Sequence, residues 1–348
     1  MAWFSLRPGN TQRASNDPTA DEAIPPLRVL AARHGLHIGA AVSETHLRED
    51  PGYREILGRE FNMATCENAM KFGPLRPSRE TFAFEAADSI VAFAQEHDMA
   101  VRGHTLIWHM MLPQWFRDAD SSYDEAIDII RGHIHTVTRH YAGRLAAWDV
   151  VNEAFEDDGS WRETPFLKTL RPDYLSMAFH WAHEGDPHAK LFYNDFSADE
   201  INAKSDAIYE VLRELISQGT PVHGVGFQMH VNLENRPRPK SVAKNMRRFA
   251  DLGLEVQVTE MDVALNVPAT ERDLAEEARL YGDIMEACLD TKAFSAFVTW
   301  GVTDRYSWIP LQFHGKGAPL LFDAEGRPKP AYFAVREALQ KELKTEPA

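Results

Sequence analysis

Cysteine is almost absent: the 348 residues contain two, Cys66 and Cys288. Two isolated thiols make no disulfide framework and no CxxC redox or zinc motif. Both are expected to be free and buried. Long apolar runs are missing as well. None reaches the ~18 residues of a membrane span, so no membrane partner is expected. The first twenty residues, MAWFSLRPGNTQRASNDPTA, lack the apolar centre of a secretion signal. A cytoplasmic protein, or one whose signal has been removed, fits that start. Basic charge is in deficit, with 37 Lys and Arg against 52 Asp and Glu, a net charge of −15. Nucleic acid is thereby disfavoured, since phosphates need a basic surface.

What the chain does have is alternation. Strand-like apolar runs occur over Leu36–Val42, Phe61–Cys66, Val101–Ile107, Leu145–Val151, Leu191–Tyr193, Val222–Phe227, Leu254–Val258 and Phe294–Thr299. Amphipathic stretches of helical period separate them, among them Ser89–Glu96, Asp124–Tyr141, Ser205–Ile216, Ser241–Ala250 and Leu274–Leu289. A last helix is expected over Ala331–Leu343. Strands alternating with helices imply a parallel sheet, and eight is the number that closes a (β/α)8 barrel. The expected organisation is a tail or strap over 1–26, one barrel domain over 27–343, and a short tail over 344–348.

The strand ends favour the barrel over an open sheet. Seven runs finish in polar or aromatic groups: Glu67-Asn68, His104 with Trp108 and His109, Asn152-Glu153, Asn194-Asp195, Gln228 with His230, Glu260 with Asp262, and Trp300 with Asp304. Only a barrel brings all such ends to one face; an open sheet gathers those near its switch point. The runs LAAWDVVNE and LEVQVTEMD each carry a carboxylate at the tip, Glu153 and Glu260. A buried, unpaired carboxylate is costly, so such tips must open into a polar cleft. Two carboxylates on facing strands are what acid-base chemistry on a sugar requires.

The blocks FNMATCENAMKF, VRGHTLIWH, WDVVNEAF, GVGFQMH, VTEMD and WGVTDRYSW, in this order, resemble those of family 10 glycoside hydrolases, the endo-β-1,4-xylanases. The resemblance covers roughly 27–343. It implies internal cleavage of xylan by a retaining double displacement, with Glu153 as acid/base and Glu260 as nucleophile, and carboxyls about 5–5.5 Å apart. It also implies xylan and xylo-oligosaccharides as partners, a monomer, and export if a signal was removed. No cofactor or metal is called for, since carboxyls fill both roles.

By the same resemblance Glu67, Asn68 and Lys71 bind xylose hydroxyls on the non-reducing side, and His104 and Trp108 lie near the distorted ring. Asn152 holds the 2-hydroxyl, Trp300 and Trp308 cover the sugar, and Asn194 and Tyr193 lie near the acid/base towards the leaving group. Gln228 and His230 surround the nucleophile, with Asp262 orienting His230. Asn152, Gln228 and His230 are the expected donors that keep Glu260 ionised. Phe72, Phe196 and Met229 depart from the family pattern, at what are expected to be outer binding positions. His133, His135 and His140 lack metal-ligand spacing and are expected to pack or face solvent. A relative acting on β-1,4-glucan and a non-catalytic sugar-binding barrel are the rival readings.

Overall fold

Every apolar run forms a strand, in the order β1 (His37–Val42), β2 (Met63–Cys66), β3 (Ala100–Ile107), β4 (Ala147–Asn152), β5 (Lys190–Asp195), β6 (Gly224–Phe227), β7 (Glu255–Asn266) and β8 (Phe294–Thr299). Each pairs in parallel with the next, and β8 returns to β1 through Gly39↔Val298, so the sheet is closed. This is the single (β/α)8 barrel that the alternation predicts. The computed structural model describes residues 25–341 except residue 120. The expected strap, apart from residues 25 and 26, and the expected tail over 344–348 lie outside the described residues.

The strands are buried on both faces because helices cover them outside and side chains fill the barrel inside. The helix Tyr123–His140 shows how the covering layer is built. Ser122 caps its first turn through Glu125 N–H, and Ala126, Ile129, Ile130, His133, Ile134 and Val137 make a buried stripe at helical spacing. The helix Glu271–Leu289 starts with a reciprocal cap between Thr270 and Asp273. Two further helices, Pro51–Glu60 and Tyr174–Gly185, complete segments that sequence reading left unassigned. The first begins on Pro51, and Asp50 accepts from Gly52 and Tyr53 N–H to start the helix there. None of the described helices is long and apolar enough to cross a membrane.

β7 runs eight residues past the expected Val258. Above the barrel rim it pairs with the short strand His230–Asn232, with His230 opposite Asp262, and then with Lys316–Gly317. The extension sets His230 beside the Glu260 strand. It also ties the loop that carries Trp308 to the same scaffold.

Deep in the barrel, Arg102 on β3 is fully buried. Its guanidinium forks onto both Asp149 oxygens and reaches Gln257 across the lumen. Burial would push the Asp149 carboxyl up, but Arg102 and His104 outweigh it and hold the group below the usual range. Cys66 and Cys288 are free and buried, as expected.

Candidate active site

The carboxyl ends of the strands form one cleft floor. Asn152 ends β4 beside Asn194 of β5, and Glu260 N–H bonds the Gln228 carbonyl, which locks β7 to the end of β6. Gly226 makes the arrangement possible. A Cβ there would stand 2.2 Å from Asn194 Oδ1, so only glycine lets the Asn194 amide turn inward.

The two carboxylates have different surroundings. Glu153 Oε1 accepts from Asn152 Nδ2 at 3.0 Å and from Gln228 Nε2 at 3.0 Å. Glu260 Oε1 accepts from Asn194 Nδ2 at 2.7 Å, and its Oε2 lies 3.2 Å from His230 Nε2. Asn152 Oδ1 joins the halves, accepting from Asn194 at 2.8 Å and Gln228 at 3.2 Å. Asn194 Oδ1 in turn accepts from Thr259 at 2.6 Å, which fixes its orientation. Glu153 and Glu260 therefore belong to one amide network, each almost fully buried.

Charge separates them further. Burial would raise the Glu260 carboxyl, but His104 and His230 outweigh it and hold the group below its ordinary value. His230 stands between Glu260 and Asp262, with Nδ1 3.0 Å from Asp262 Oδ2. Burial alone would lower the imidazole, yet the two carboxylates push it up to about 10, so it is a cation at neutral pH. His104 Nδ1 bonds Asp149 at 2.9 Å and lies 3.9 Å from Glu260.

The walls are aromatic and basic. Buried Lys71 bonds Asn68 Oδ1 at 2.9 Å, and its ammonium lies 4.6 Å from the Trp108 ring centre and 5.8 Å from that of Trp300. Burial lowers the Lys71 ammonium against the pull of Glu260, Glu67 and Glu153. Burial likewise raises Glu67, with Lys71 opposing. Trp300 packs edge-on to His104 and His230. Trp308 meets His230 at 5.0 Å and donates its indole N–H to Asp262 at 2.7 Å. Asp262 thus holds both a histidine and a tryptophan of the site.

Glu67, Asn68, Lys71, His104, Trp108, Asn152, Asn194, Gln228, His230, Trp300, Trp308 and Asp262 all lie at the carboxyl ends of the strands or in the loops that follow, with Glu153 and Glu260. Some expected partners are exchanged. Asn152 and Gln228 donate to Glu153, not to Glu260; His230 does reach Glu260, and the amide donor there is Asn194, which was expected on the Glu153 side. The reason is the inward turn at Gly226. Phe72 is no outer binding residue: it is buried and stacks on His133 at 3.8 Å. Met229 is fully buried too. His135 pairs with Glu184 and His140 with Asp88, each at 2.9 Å.

Two groups went unnoticed in the sequence. One is Arg102 with Asp149, which supports His104; a charged residue inside the apolar run AWDVV was its signal. The other is Lys204 behind Glu153, fully buried with its Nζ 2.9 Å from Asp195 at the end of β5.

A sugar ring bound in this cleft would meet two carboxylates, one beside cations and one beside neutral amides, with indoles around it. Residues 26–338 match the profile of glycosyl hydrolase family 10. The chain belongs to this family. Among its relatives, endo-1,4-beta-xylanase B of Thermotoga neapolitana is 43% identical over 322 residues, spanning 92% of this chain and 93% of that protein. The structure of xylanase 10B from Thermotoga petrophila RKU-1 in complex with xylobiose superposes with a TM-score of 0.90 at 42% identity, covering 92% of this chain and 98% of the other. A glycosylated endo-beta-1,4-xylanase from Gloeophyllum trabeum gives a TM-score of 0.87 at 36% identity, over 91% of this chain and 100% of the other. Family 10 membership thus rests on nearly the whole described barrel.

Proposed function

We propose that the chain is an endo-1,4-β-xylanase that cleaves xylan with retention of configuration. The observation that carries the reading is the amide network joining Glu153 and Glu260 on facing strands of a family 10 barrel. Glu260, kept ionised by His230 and His104, attacks the anomeric carbon. Glu153 gives its proton to the departing glycosidic oxygen. Water then enters, loses its proton to Glu153, and releases the sugar from Glu260.

Asn152, at the centre of the network, is suited to the sugar 2-hydroxyl, where a bond that tightens as positive charge builds on the ring acts on rate. Lys71 and Asn68 offer a donor and an amide to vicinal hydroxyls. Trp108, Trp300 and Trp308 supply indole faces for the apolar side of a pyranose. The xylobiose complex of the Thermotoga petrophila relative supports xylo-oligosaccharides as ligands.

Proton NMR of freshly cleaved xylotetraose tests the reading. The β-anomer is expected first, with the α-anomer growing in only by mutarotation; α first would overturn retention. Initial rates on xylan should exceed those on soluble cellulose by about tenfold or more, the scale on which a pocket rejects one extra group. Faster cleavage of cellulose would overturn the substrate.

A further inference from the structure

Glu153 has a backbone φ of 59°, a left-handed conformation that a residue with a long side chain seldom takes. Such a conformation persists only where the surroundings over-determine it. Glu153 N–H bonds the Asn194 carbonyl at 2.9 Å and so stays on the ladder to β5. Beyond it the ladder ends, and the next amide, Ala154 N–H, needs another acceptor. It finds the hydroxyl of Tyr193 at 3.0 Å.

That hydroxyl is aimed by what lies behind it. Tyr193 is fully buried, and its one proton goes to Asp195 Oδ2 at 2.5 Å. A peptide N–H can only donate, so the tyrosine oxygen presents a lone pair to Ala154 and its own proton is left for Asp195. Asp195 Oδ1 accepts from Phe196 N–H at 2.9 Å and from Lys204 at 2.9 Å. The Lys204 ammonium is sealed by the Phe196 ring, 3.5 Å away, and also reaches Asp157 on the loop after Glu153 at 3.4 Å. The chain Lys204, Asp195, Tyr193, Ala154 N–H therefore ends one peptide away from the carboxylate assigned to proton transfer. Glu260 takes no hydrogen bond from any of these three side chains.

We propose that Tyr193, oriented by Asp195 and Lys204, is a positioning residue for Glu153, fixing the left-handed turn that aims its carboxyl into the cleft. The inference rests on Glu153 being the acid/base. It predicts an asymmetric defect: loosening the turn harms steps that need a proton from Glu153 and spares those that do not.

The test compares kcat/KM of the full-length chain on two substrates. Xylotetraose has a poor leaving group that must be protonated; 2,4-dinitrophenyl β-xylobioside has one that leaves unaided. Because kcat/KM reports the steps up to departure of the leaving group, the second substrate bypasses the acid. Tyr193→Phe is expected to lower kcat/KM on xylotetraose by about tenfold to a hundredfold, as a misaimed group does, and on the aryl substrate by less than about threefold. Equal losses on both substrates, or no loss on either, would overturn the proposal. Should Tyr193→Phe fail to fold by circular dichroism, Asp195→Asn takes its place: the same asymmetric loss is expected, and equal or absent losses overturn the proposal again.

Glu153→Ala serves as reference. If it spares the aryl substrate and Tyr193→Phe does not, the positioning role fails alone. If Glu153→Ala harms both substrates equally, the assignment of Glu153 fails and takes the inference with it.

Discussion

The two ends of the cleft floor use opposite means to hold a carboxylate. At Glu260 the partners include a histidine cation and a second histidine nearby; at Glu153 the hydrogen-bond donors among the described residues are the neutral amides of Asn152 and Gln228. A cation beside a carboxylate fixes its charge, as a nucleophile needs. Neutral amides orient a carboxyl without imposing a net charge, which suits a group that must give and regain a proton. The lesson is that two chemically identical side chains receive different work from their neighbours alone.

The strongest way to break the contrast is to remove the charged end. Glu260→Ala should lower kcat on xylan by roughly three to five powers of ten, with an unchanged far-ultraviolet dichroism spectrum. The bond to be formed would have no nucleophile, whatever Glu153 does. Retention of even a tenth of the parental rate in the folded variant would show that Glu260 does not carry the reaction.

A finer probe separates the two sets of amides. Asn194→Ala withdraws a donor from an ionised carboxylate, worth about 1.5–3 kcal/mol, or about 10- to 100-fold in rate. It should slow xylotetraose and an activated aryl xylobioside alike. Gln228→Ala strips a donor from Glu153 and should slow xylotetraose more than the aryl substrate. If the two variants behave identically on the substrate pair, the division of partners has no kinetic meaning.

The smallest effect concerns pH. Glu260 lies below its ordinary value partly because His230 is charged, so His230→Gln should let it rise. The acid limb of kcat/KM, where activity is lost as Glu260 gains a proton, is then expected to move up by about 1 pH unit. A limb that stays put, or moves down, would show that His230 does not set the charge of the nucleophile.

Much of this was legible from residue order. The apolar runs and their polar tips located all eight strands, since a buried parallel strand can bear polar groups only where it emerges. Glu153 and Glu260 stood out because each closes an apolar run. What residue order could not reveal was which neighbour each would bond. Asn152 and Gln228 were expected at Glu260 as donors that keep a nucleophile ionised; the choice is made by the inward turn of the Asn194 amide against Gly226, which depends on packing across two strands. Phe72 resembled a cleft aromatic until His133, sixty-one positions on (133 − 72), proved to be its stacking partner. Long-range choices of this kind have no local periodicity to signal them. The extension of β7 escaped for a related reason: its pairing partners, His230–Asn232 and Lys316–Gly317, are too short to announce themselves as strands.

The φ of 59° at Glu153 also sets a ceiling on how sturdy this barrel can be. Asparagine tolerates that conformation far better than glutamate, and relief of such strain is worth on the order of 1 kcal/mol. Glu153→Asn should thus give a protein inactive on xylan that melts at a higher temperature than its parent, as thermal denaturation followed by circular dichroism would show. Improving heat resistance by choosing the most comfortable residue at every position would therefore erase the chemistry at this one.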